Sequence, residues 1–121
     1  MGVKKMLTQV VIGVLVVGIV MLLVRGLGGE RISSDEAREM VSKGARLVDV
    51  RSPSEFASGH IEGAVNIPLQ QLPKRMGELG LTTQPIVVYC RSGARSARAR
   101  NQLMETGYSE VHNLGPMSAW N

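Results

Sequence analysis

The chain has 121 residues, 44% of them apolar, 20% charged and 3% aromatic, with a formal charge of +4 at pH 7. That length holds one domain of ordinary size, and the composition is too apolar for wholesale disorder. A lone cysteine, Cys90, excludes an internal disulfide framework, and with His60 and His112 it falls short of a four-ligand structural zinc site. The positive charge is unevenly placed. All ten acidic residues lie at or after Glu30, where eleven bases leave a net of only +1. A nearly neutral domain with few aromatics is a poor nucleic-acid binder, so none is expected as a partner.

Met6 to Val24 is a run of nineteen residues without a charge, bounded by Lys5 and Arg25. As a helix it would extend roughly 28 Å, close to the hydrocarbon thickness of a bilayer. The reading is a single transmembrane helix over residues 6–24, placing the protein in the cell (inner) membrane. A cleaved signal peptide is the rival. It is opposed by the length of the apolar run and by the want of an A-x-A-like site, for which Gly26-Leu27-Gly28 is a poor substitute. Lys4 and Lys5 argue for an inside N-terminus, and Arg25, Arg31, Arg38 and Lys43 for an inside domain, a slight lean to the cytoplasm. Residues 25–30, with three glycines in Gly26–Gly29, read as a flexible linker. The folded domain is then expected over residues 31–121.

From Ser33 the pattern alternates helix and strand signals. Ser33 and Glu36 have capping-box spacing and open a helix to about Ser42, with Gly44 behind it. Arg46–Val50 is a short strand. Pro53 opens a turn of helix that Gly59 closes. Val65–Ile67 is a second strand, and Leu69, Leu72, Met76 and Leu79 recur at helical spacing, interrupted by Pro73 and Gly77. Pro85–Tyr89 is the clearest buried strand. Ser96–Glu105 is a helix stopped by Gly107, Val111–Leu114 a last strand, and Pro116–Trp120 a short closing helix. Strands alternating with helices imply parallel pairing, hence an α/β domain of three layers around a central parallel sheet.

The chemistry concentrates in Tyr89-Cys90-Arg91-Ser92-Gly93-Ala94-Arg95-Ser96, which passes from a buried strand into a helix within six residues. A loop this tight turns successive backbone N–H groups into one concavity, and the helix start adds positive potential. Arg91 and Arg95 add full charges. All of these favour thiolate over thiol at Cys90, which would make it a nucleophile facing an anion-binding cradle. Gly93 suits a position requiring positive φ. Behind the loop, Asp49 and Arg51 are expected to form supporting polar contacts, with Glu55 a candidate partner for Arg51. His60 is expected to be a scaffold residue, and His112 and Trp120 to serve packing.

Three segments resemble the rhodanese (thiosulfate sulfurtransferase) homology domain in its single-domain form. They are Leu47–Arg51 with Glu55-Phe56 and Gly59–Pro68, then Cys90–Ser96, then Leu114–Trp120. In the last, Pro116 stands where the family usually has a second glycine. The resemblance implies that Cys90 takes a sulfane sulfur from thiosulfate or a similar small anionic donor. The resulting persulfide would pass its sulfur to a thiol, cyanide or an acceptor protein. It also implies donor contacts at Arg91, Ser92, Gly93, Ala94 and Arg95, with no cofactor or metal. Two other readings compete with it: a persulfide carrier or binding module without turnover, and the phosphatase and arsenate-reductase branch of the fold. The latter wants Cys, five residues and Arg. Here the position after those five is Ser96, and Arg95 arrives one residue early.

Overall fold

The computed structural model describes residues 9–16 and 31–121. Residues 9–16 are helical, and Val10, Val11, Ile12, Val14, Leu15 and Val16 are each 52–67% exposed. Among the described residues no helix is long and apolar enough to cross a membrane. The remainder of the expected anchor, 6–8 and 17–24, and the linker 25–30 lie outside the described residues.

The domain runs α1 (Ser34–Ser42), β1 (Arg46–Asp49), α2 (Pro53–Ser58), β2 (Val65–Asn66), α3 (Leu72–Arg75), β3 (Ile86–Cys90), α4 (Ala94–Thr106) and β4 (Val111–Pro116). All strand pairs are parallel, in the order β2-β1-β3-β4. Every residue of β3 is buried, as a central strand covered on both faces must be. Its side chains alternate between two cores. Ile86, Val88 and Cys90 pack with Leu72, Ala99 and Leu103 on the α4 side; Val87 and Tyr89 pack with Ala37, Leu47, Ile61 and Leu114 on the α1 side. The period of two along β3 thus becomes three layers.

Local signals explain most boundaries. Ser33 caps α1 by accepting the Glu36 N–H at 3.2 Å. A full reciprocal capping box sits at α2, between Ser52 and Glu55, and adds to Pro53 at the first helical position. The 69–79 periodicity marks a packing face and not one continuous helix. Short 3-10 turns, Leu69–Gln71 and Met76–Leu79, flank α3, whose first turn accommodates Pro73, and Leu72 and Leu79 still reach the core. Helix α4 begins at Ala94, two residues earlier than expected, because Gly93 at φ +98° turns the chain straight into it. Pro116 ends β4 and does not open a helix; it lies opposite Cys90 at the sheet edge, and the 3-10 turn Met117–Trp120 follows.

Candidate active site

The site is built where β3 ends. Register with β4 shifts between Val88 and Tyr89, so that Val88 faces Asn113 but Tyr89 faces Gly115. Buried Asn113 stabilises this bulge by accepting the Gly115 N–H at 2.8 Å. The strand therefore delivers Cys90 at the carboxyl edge of the sheet, beside the start of α4.

Cys90 has no exposed surface. The Gly93 N–H donates to its Sγ at 2.9 Å, and the Ser96 hydroxyl lies 3.4 Å away. Burial pushes the thiol up, but the Ser96 hydroxyl and the N–H groups of Ser96, Gly93 and Ser92 outweigh it, leaving Cys90 below the ordinary thiol range. The cradle is thus made mainly of amides and one hydroxyl. Ser96 also donates to the Gly93 carbonyl at 3.0 Å. Its single hydrogen serves one acceptor at a time, so it stabilises a thiolate only by turning toward sulfur. Ser96 is buried and was absent from the sequence-derived site residues. The signal available in the sequence was a serine six residues after Cys90, at the expected start of the helix.

The arginines divide their roles. Arg95, in the first turn of α4, makes a two-pronged pair with Glu55 at 2.7 and 3.0 Å. Its hydrogen bond holds the Glu55 carboxyl well down, at about 2, against a smaller burial effect and with help from Ser52. Arg91 and Ser92 are exposed at the crest of the loop, while Gly93 is buried and Ala94 is exposed. Arg91 makes no salt bridge among the described residues.

Glu55 is therefore not the partner of Arg51. The Arg51 side chain curls back on its own strand end to Asp49: Nη2 reaches Oδ2 at 2.6 Å, Nε reaches both oxygens at 3.0 Å, and the Arg51 N–H adds a bond of 2.9 Å. A residue two positions away at the same strand terminus completes this geometry without crossing the domain. Glu55, fixed as the third residue of α2 by its own capping box, faces the Cys90 loop. Arg51 continues to the Gly59 carbonyl at 2.7 Å, and the Ile61 N–H donates to the Tyr89 hydroxyl at 3.1 Å. These bonds tie the Gly59–Ile61 turn to the sheet below the loop.

His60 stacks on Phe56, with ring centroids 3.7 Å apart, and its Nδ1 bonds the Phe56 carbonyl at 2.9 Å. It borders an open cleft of about 400 Å³ shared with Ile61, Glu62, Met117, Ser118 and Trp120, and Cys90 is not part of that lining. His112 is half-buried and reaches Glu110, and Trp120 packs on the α1-side core.

The arrangement is a buried thiol whose pKa is lowered by nearby N–H groups and a hydroxyl, in a fold with recognisable relatives. The sequence profile of the rhodanese-like domain matches residues 33–121. The uncharacterized protein YqhL of Bacillus subtilis is 47% identical over 77 residues, 63% of this chain and 60% of its own, so the chain spans less than two thirds of that relative. Thiosulfate sulfurtransferase GlpE of Stutzerimonas stutzeri is 36% identical over 92 residues, 75% of this chain and 84% of its own. The solved structure of the human single-domain sulfurtransferase TSTD1 matches with a TM-score of 0.64 at 30% identity, over 77% of this chain and 96% of that one. With the Cys90 cradle at the end of a central parallel strand and a profile match across the whole folded domain, the chain belongs to the rhodanese-like domain family.

Proposed function

We propose that the protein is a sulfurtransferase that moves a sulfane sulfur from thiosulfate or a similar anionic donor through a persulfide on Cys90. The observation that carries this reading is Sγ held by the Gly93 amide at 2.9 Å with Ser96 beside it, below the ordinary thiol range. The Cys90 thiolate attacks the outer sulfur of the donor; the donor's S–S bond breaks and sulfite leaves with the electron pair. The terminal sulfur of the new persulfide keeps one negative charge, which loop N–H groups stabilise. An acceptor nucleophile, cyanide or a thiolate, then attacks that sulfur and releases Cys90 as thiolate. The chain has one cysteine, so the acceptor thiol comes from another molecule.

Cys90 has no exposed surface, so donor binding requires the exposed Arg91-Ser92 crest to yield. Arg91 supplies the charge that attracts the donor, and Arg95 with Glu55 fixes the loop's far side. A phosphatase reading fits less well, because Arg95 is engaged by Glu55.

The test is thiocyanate production from thiosulfate and cyanide, with mass spectrometry after thiosulfate alone. One added sulfur atom on Cys90 together with turnover supports the reading. The added sulfur without turnover marks a persulfide carrier, and a Cys90 that gains no sulfur overturns the sulfur-transfer reading.

The membrane placement belongs to the same proposal. Its support is the uncharged run Met6–Val24 and the exposed apolar side chains of residues 10–16. Alkaline carbonate extraction should leave the full chain in the membrane pellet, and protease added to spheroplasts should spare a domain on the cytoplasmic side.

A further inference from the structure

Arg31 lies ahead of the residues matched by the family profile. Its backbone pairs in parallel with Asn113, and the neighbouring Ile32 N–H donates to the Asn113 carbonyl at 3.0 Å. Its side chain then runs across the bulge to the Cys90 loop, where Nη2 donates to the Ser92 carbonyl at 3.3 Å. Two glycines leave it room. A Cβ on Gly93 would overlap the guanidinium, and one on Gly115 would lie 2.9 Å from Arg31 Cδ and Nε.

The Ser92 carbonyl and the Gly93 N–H belong to one peptide unit. In a planar trans peptide those two groups point in opposite directions. Drawing the carbonyl outward to Arg31 therefore aims the N–H inward, and that N–H is the one that meets Cys90 Sγ at 2.9 Å. A cation on the carbonyl end also polarises the peptide and makes its N–H a stronger donor.

We infer that Arg31 is a positioning residue for the Cys90 site, orienting and polarising the Ser92–Gly93 peptide so that its N–H stabilises an anionic sulfur. The other charged groups around the loop are Arg91 at its crest, Arg95 in α4, Glu55 from α2 and Asp49 from β1. None of them bonds the Ser92 carbonyl among the described residues. The effect on turnover rests on the sulfurtransferase reading; the effect on the thiol itself does not.

The experiment follows alkylation of Cys90 against pH in the full chain, for wild type, Arg31→Met and Arg31→Gln, with thermal unfolding of each. Arg31→Met should raise the titration midpoint by roughly half a unit, about threefold less thiolate below both midpoints. Arg31→Gln retains an N–H donor without the charge and should recover part of that shift. An unchanged midpoint in a folded Arg31→Met protein overturns the proposal. So does a Gln variant that behaves like Met, since that outcome assigns the effect to distant charge and not to the carbonyl contact. A moved midpoint in a protein that produces no thiocyanate sustains the proposal and defeats the enzymatic reading. Normal turnover with unmoved midpoints does the reverse.

Discussion

Beneath the Cys90 loop, Asp49 is wholly buried and Arg51 nearly so, and both carboxylate oxygens are occupied by the guanidinium. At the side of the loop, Glu55 and Arg95 make an equally close pair, but their side chains remain 27% and 32% exposed. The same chemistry therefore does two different jobs. A buried pair is costly to break because the surviving partner is left charged and dry. A part-exposed pair can exchange protein for water at little cost, so it can hold a loop that must yield to a donor. The lower network is buried scaffold, and the upper pair is a partly solvated tie between α2 and the start of α4.

The sharpest break between the two regions comes from Cys90→Ser. It should remove thiocyanate formation altogether while leaving the thermal midpoint close to wild type, because the change is nearly isosteric. Residual turnover near wild type would relocate the chemistry. Asp49→Ala should do the opposite, costing about 3–5 kcal/mol by stranding Arg51, against a total stability of roughly 5–15 kcal/mol. Urea unfolding measures it, and a loss of only a few tenths would show that water reaches Arg51 after all.

Glu55→Gln should cost about 1 kcal/mol or less at neutral pH, given the pair's exposure. Its signature is pH dependence. The folded-state carboxyl is held at about 2 against an ordinary value of 4.5. Its stabilising contribution is therefore complete above about 4.5 and is lost as pH falls toward about 2. The thermal midpoint of the Gln variant should be flatter than wild type across that interval. The smallest effect is expected at Arg91→Ala, where loss of one exposed cation should raise the KM for thiosulfate about twofold, roughly 0.4 kcal/mol, with little change in kcat or in stability. An unchanged KM would place the donor elsewhere on the loop.

Much of this architecture was legible in the residues. Pro85–Tyr89 announced a buried strand by its unbroken apolar run, and Gly93 announced the turn that starts α4. Glu55 was different. It is a candidate partner for Arg51 in the sequence, yet Asp49 sits at the same strand terminus as Arg51 and takes the guanidinium first. Glu55 is left facing a loop forty residues further along the chain. Ser96 was visible as a helix-opening serine, but its approach to Sγ depends on how tightly the loop closes.

Arg31 was legible only as a flanking charge near the apolar N-terminal run. Its role at the loop required the bulge between β3 and β4, which appears only when two strands far apart in sequence are paired. Composition, period and turn residues alone determined the α/β class, the order of elements and the lone cysteine at the end of a buried strand, because each is a local property of a few neighbouring residues. Which guanidinium meets which carboxylate or carbonyl was decided by the folded sheet. Those partners are 40 and 61 residues apart, and only strand register and helix packing bring them within bonding distance.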